Sequence, residues 1–151
     1  MIDQHLYHDI SFAEAPGGVP VLTAYKDTQG YWTIGIGHLL VPITHNWWGY
    51  TITAEEAIKL LDADIITAQG FAGRLPEWKY LDTTCRQNAV VELCFNLGPR
   101  WLDFHETRDA IMARDWQKAH DQLLASEWAV QVGPTRSNRL ANYLLTGQYP
   151  A

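Results

Sequence analysis

The sequence predicts an α+β fold: a small β-containing lobe, a larger helical lobe, and one helix joining them. Three observations carry that prediction. Strand-like patterning is confined to residues near 12–52, a capped helix start follows at Thr53, and the rest reads as helices punctuated by Gly-Pro pairs. The small lobe is expected over about 14–52, the joining helix over about 53–69, and the helical lobe over about 74–151 with the N-terminal helix packed on it. A chain of 151 residues, 47% of them hydrophobic, suffices for one domain with a sizeable core.

Taken in order, residues 3–14 read as a helix capped by Asp3, with Leu6, Ile10 and Ala13 as its apolar stripe. Ala15-Pro16-Gly17-Gly18 stops it. Glu14 is left in the last turn, facing the negative end of the helix dipole. "VLTAY" and "YWTIGI" read as strands around a turn at Lys26–Gly30, where Asp27 can bond its own turn and Gly30 can take positive φ. A period of two puts Tyr31, Thr33 and Gly35 on one face and Trp32, Ile34 and Ile36 on the apolar one.

Residues 39–52 read as irregular, because Pro42 and Gly49 interrupt them. Trp47, Trp48 and Tyr50 there either pack the small lobe or line its rim. Thr53 and Glu56 form a capping box, and helical periodicity runs on to about Ala68, where Gly70 and Gly73 loosen the chain. "DTTCRQNAVVELCFNLG" is one helix closed by Gly98-Pro99, and "FHETRDAIMARDW" is another. After a break near Asp115, "DWQKAHDQLLASEWAV" continues as helix, and "TRSNRLANYLLTG" forms the last one, ending at Gly147.

Composition excludes several functions. A net charge of −6 disfavours nucleic acid, whose backbone rewards Lys and Arg. No apolar run is long enough for a membrane span, and the N-terminus is too polar for a signal peptide, so cytoplasmic synthesis is expected. Cys85 and Cys94 lie nine residues apart on one helix, on nearly opposite faces with a rise of roughly 13 Å, so both should be free thiols. The histidines form no compact metal cluster, and neither a Gly-x-Ser-x-Gly elbow nor a phosphate-binding glycine loop occurs. No metal or cofactor is expected. Seven Trp, seven Tyr and four Phe are enough to furnish a groove for sugars, peptides or bases besides a core.

What remains is a carboxylate pair. Glu14 ends a helix and Asp27 sits at a strand–turn junction thirteen residues later. Glycoside hydrolysis needs two such groups, one to protonate the leaving oxygen and one to assist water or attack carbon. Spacing alone leaves open whether the two meet.

The segment "YKDTQGYWTIGIGHLL" closely resembles the signature of phage T4-type lysozymes, the muramidase endolysins, through Asp27, Gly30, Thr33, Gly35, Gly37 and His38. The similarity extends over nearly the whole chain, through Thr53–Asp64, "CFNLG" and "SEWAVQVGPTRSNRLANYLLTG". It implies a lysozyme-like fold and hydrolysis of the β-1,4 bond between N-acetylmuramic acid and N-acetylglucosamine, with inversion. Glu14 would be the general acid, Asp27 the second carboxylate, and Thr33 a holder of the attacking water. Arg136 resembles the arginine that pairs with the catalytic glutamate. His38 resembles a histidine braced by an aspartate of the connecting helix, here Asp64. Leu39, Phe95, Asn96 and Thr107 match substrate-contacting cleft positions, although Phe95 also fits a core and Thr107 a helix surface.

The implied partner is peptidoglycan. The implied setting is the host cytoplasm, with action on the wall after release through a holin-like membrane hole, and a monomer is expected. The alternative is a catalytically inactive, wall-binding or structural relative. The chain departs from the family pattern in the extra residues "APGGVPVLTA" after Glu14, in a shorter segment between His38 and Thr53, and in its acidic balance.

Overall fold

The computed structural model describes residues 2–151. It is an α+β architecture with a small three-stranded sheet and a larger set of helices. The chain divides into two compact units, with the division between Thr67 and Ala68.

The first unit opens with α1 (Gln4–Glu14), whose N-terminal amides at His5 and Leu6 are capped by the Asp3 carboxylate. Leu6 and Ile10 are buried as the periodicity predicts, but the third inward position belongs to Ser11 rather than Ala13. Ala13 is exposed. The Ser11 hydroxyl donates to the Tyr7 carbonyl at 2.6 Å, so a small polar residue is buried without loss. Pro16–Gly18 then form a single 3-10 turn.

Strands β1 (Val21–Lys26), β2 (Trp32–Gly35) and β3 (His38–Leu39) form an antiparallel sheet in chain order. Tyr25 pairs with Thr33 and Lys26 with Trp32, while Thr33 in turn pairs with Leu39. The supposedly irregular stretch is therefore more ordered than expected. It begins inside β3, and Thr51 later bridges Thr23, with Ile52 N–H donating to the Leu22 carbonyl at 2.9 Å. Two residues make too short a strand to show as alternation in the sequence. Ala24, Ile34, Leu40, Ile52 and Ala57 form a buried core against which Trp32, Trp47 and Leu60 pack. The Ile34, Leu40 and Ile52 side chains each contribute about 1.5–3 kcal/mol when fully buried.

Helix α2 (Ala54–Gly73) starts at the predicted capping box: the Glu56 amide donates to Thr53 Oγ1 at 3.1 Å, and Thr53 N–H donates back to Glu56 Oε1. It does not stop near Ala68 but continues through Gly70 to Gly73. A glycine inside a helix costs only about 1 kcal/mol against alanine, and buried Ala68 and Ala72 anchor these last turns.

The second unit contains α3 (Thr84–Leu97), α4 (His105–Met112), α5 (Trp116–Leu124), α6 (Glu127–Val132) and α7 (Pro134–Thr146). The expected continuous helix after Asp115 is two helices. Ser126 interrupts it by capping α6 through the Ala129 amide. Helix α5 packs on α4 and α7, and Trp101, Leu93, Ile111, Leu123, Leu140 and Leu144 are all fully buried.

Arg86 closes the C-terminus of α7: Nε donates to the Leu144 carbonyl at 2.8 Å and Nη2 to the Leu145 carbonyl at 2.9 Å. A second hub is Glu77, fully buried, which accepts from Trp101 Nε1 and from both Nε and Nη2 of Arg108. Cys85 and Cys94 are buried thiols not joined to each other, and burial pushes the Cys94 thiol up to about 12. Among the described residues no helix is long and apolar enough to cross a membrane.

Candidate active site

The β1–β2 connection builds one side of the candidate site. Gly30, at φ 84°, lets the chain reverse, and its amide donates to the Asp27 carbonyl. The Asp27 carboxylate then turns inward on its own loop: Oδ1 accepts from the amides of Gln29 and Tyr31, both at 2.9 Å. One oxygen is thereby committed to the turn. Thr33 is buried on β2, where its hydroxyl donates to the Tyr31 carbonyl at 3.0 Å. That bond uses the only hydroxyl proton, so what Thr33 Oγ1 offers a visitor is a lone pair.

Glu14 lies in the same unit, half-buried at the end of α1. Its neighbour is Gly37: a methyl group built there would stand 2.6 Å from Glu14 Oε2 and 3.0 Å from Glu14 Cβ. The glycine backbone thus forms the wall behind the carboxylate. Tyr25, on β1, senses both acids. Its hydroxyl is pushed above the ordinary tyrosine range by burial first, then by the charges of Glu14 and Asp27.

His38 and Asp64 meet within this unit, Nδ1 to Oδ2 at 2.7 Å. The hydrogen bond to Asp64 raises the His38 pKa, burial opposes that, and the Asp64 charge reinforces it. Leu39, next in β3, is 44% exposed and so available for contact.

The remaining predicted positions lie in the second unit. Arg136 is buried on α7, and its Nε donates to Glu92 Oε2 at 3.0 Å. Arg139 adds two bonds to the same carboxylate, at 2.9 and 2.8 Å. Thr107 is buried rather than on a helix surface, and it lines a cavity of about 400 Å³ together with Phe104, Gln122 and Trp128. Asn96 is tethered to that cavity, its Oδ1 accepting from Trp128 Nε1 at 2.8 Å. Phe95 is half-buried at the end of α3.

Glu92 was missed in the sequence. The available signal was a lone acid in the apolar run "AVVELCF", a position that demands buried cationic partners. The role of Gly37 was equally hidden, since it depends on a carboxylate twenty-three residues earlier in the chain.

Comparison with known proteins extends the picture. Residues 18–142 match the family model for phage lysozyme. A probable T4-type lysozyme 1 of Dictyostelium discoideum is 29% identical over 150 residues, spanning 83% of this chain and 87% of the relative. A second Dictyostelium protein, probable T4-type lysozyme 2, is 28% identical with the same coverage. The pre-baseplate central spike protein Gp5 of Enterobacteria phage T4 is 30% identical over 151 residues, where 83% of this chain matches 26% of that longer protein.

Proposed function

The chain belongs to the phage lysozyme family, and from that premise we propose that it is a muramidase endolysin. It hydrolyses the β-1,4 bond between N-acetylmuramic acid and N-acetylglucosamine in peptidoglycan, with inversion. The observation that carries this reading is the fixing of two carboxylates within one unit: Asp27 by the amides of its own turn, Glu14 by Gly37 at its back.

The chemistry follows from what each group has to offer. Glu14, in its protonated form, gives its proton to the glycosidic oxygen as the C1–O bond breaks. Water attacks C1 from the opposite face and loses a proton to Asp27, whose Oδ2 is the oxygen left over from the turn bonds. Thr33, having spent its own proton on Tyr31, accepts a hydrogen bond from that water and fixes the direction of its lone pair. Arg136, His38 and Asp64 act as structural supports, and Leu39, Phe95, Asn96 and Thr107 as substrate contacts. No step calls for a metal or cofactor. The enzyme acts as a monomer after reaching the wall through a holin-like opening.

The test is reducing-end release from purified peptidoglycan by the wild type, Glu14→Gln and Asp27→Asn, with the anomeric form of the product read by NMR. Turnover by the wild type with loss in both variants supports the reading. A folded wild-type protein that cleaves no susceptible wall preparation overturns it.

A further inference from the structure

We propose that the uncharged aromatic segment between β3 and α2 is a docking surface for the peptidoglycan glycan strand, with Trp48 as its anchor. The inference rests on the muramidase reading and extends it to sugars beyond the cleaved bond.

From Leu39 to Ala54 the chain carries no Asp, Glu, Lys or Arg. Yet much of it faces solvent: Trp48 is 82% exposed, Val41 64%, Ile43 53% and Tyr50 43%. Four exposed apolar side chains within ten residues of one ordered segment are more than the scattered single residues of an ordinary surface. The segment is also held still. Trp47 packs against the core, its indole N–H donates to the Pro42 carbonyl at 3.2 Å, and its ring meets His45 and Tyr50 edge-on at 4.7 and 5.1 Å. Asn46 Oδ1 accepts from the Trp48 amide at 3.0 Å, fixing the backbone beneath the exposed indole. A platform ordered before binding loses little entropy when a ligand arrives.

Charge selects the occupant. A strand of N-acetylated sugars is neutral once the lactyl carboxyl groups are taken up in peptide links. Its C–H faces stack on indole and phenol rings, and its acetyl methyl groups suit Val41 and Ile43. Exposed Thr44, His45 and Asn46 supply hydrogen-bonding groups for hydroxyls and amides. Trp and Tyr also favour bilayer interfaces, but an anionic bilayer recruits its ligands through Lys and Arg. This segment has neither, and the whole chain carries −6.

The segment is continuous with the candidate site as well. It leaves from Leu39, the register partner of Thr33, and returns where Tyr50 accepts from the Ala24 amide at 2.8 Å. Ala24 stands three residues, roughly 10 Å along an extended strand, before Asp27.

The experiment measures binding without turnover. Glu14→Gln protein, alone and combined with Trp48→Ala or Trp48→Phe, is titrated with soluble glycan strands that keep their stem peptides, so that the lactyl groups stay in amide linkage, and with phosphatidylglycerol vesicles. Trp48→Ala is expected to weaken strand binding about tenfold, the scale of one aromatic anchor, while Trp48→Phe stays within about twofold of the parent. Equal binding by Trp48→Ala, or tighter binding of the parent to vesicles than to strands, overturns the proposal. Cleavage by wild-type protein is assayed separately, so failure of the docking surface and failure of the muramidase reading give different results.

Discussion

Gly37 and Glu14 occupy adjoining space with no room for a side chain between them. The nearest carboxylate oxygen lies 2.6 Å from where a Cβ on Gly37 would sit, and Gly37 also holds φ at 71°. Gly37→Ala therefore meets two penalties, one of backbone strain and one of collision. Stability should fall by about 1–3 kcal/mol. Activity should fall further, about a hundredfold, because a displacement of roughly 1 Å at a reacting group costs that much. Thermal melts beside wall-hydrolysis rates separate the two effects, and full activity in a folded Gly37→Ala protein would remove Gly37 from the site.

Asp27 has two functions that different substitutions separate. Asn keeps an oxygen that can accept from Gln29 and Tyr31, so Asp27→Asn should stay within about 0.5 kcal/mol of wild-type stability. It should nonetheless lose about 10²–10⁴-fold in rate, the range for a missing acid–base group. Asp27→Ala also deletes two turn hydrogen bonds and should unfold more easily by about 1–2 kcal/mol. Urea denaturation of both variants checks the split; equal stability for Asn and Ala would contradict it.

The His38–Asp64 pair predicts a pH dependence of stability. The folded His38 pKa lies above its unfolded value of about 6.5, chiefly through the Asp64 hydrogen bond. The stabilisation is therefore complete below about pH 6.5 and disappears as pH rises through the folded pKa. His38→Gln should cost about 1.5 kcal/mol at pH 5.5, the lower end for a hydrogen bond to a charged group because both partners are partly exposed. The deficit should narrow toward pH 9. A gap that is constant, or that widens with pH, would show that the pair does not titrate in this way.

Glu92 should be intolerant of neutralisation. It is 1% exposed and accepts from two arginines. Glu92→Gln removes a buried negative charge that both guanidinium groups share and should cost about 3–5 kcal/mol. Chemical denaturation gives the number directly, and a loss below 1 kcal/mol would mean that Arg136 and Arg139 find other anions readily.

What could be read in the sequence was local. The Asp3 cap, the Thr53–Glu56 box, the Asp27 turn and the Gly147 stop each depend on residues within about one helical turn, and all four are present. What escaped depended on burial or on distance along the chain. Ser11 displaced Ala13 from the buried face because a hydroxyl can be satisfied by its own helix, which no apolar pattern reveals. Gly70 failed to end α2 because propensity yields to burial of the flanking alanines. In the candidate site, Asp27 and Thr33 stood out through their turn and strand, whereas Gly37 and Glu92 gain meaning only from partners twenty or more residues away.

The self-contained anchoring of Asp27 bears on how such a protein can change over time. Its two oxygen–amide bonds reach only two and four residues ahead. A segment elsewhere in the unit can be shortened, rewritten or filled with tryptophan without asking that carboxylate to find new partners. Novelty at the periphery is then separable from the turn that holds this carboxylate, which makes the stretch from Leu40 to Ala54 a natural place for a lineage to change its surface.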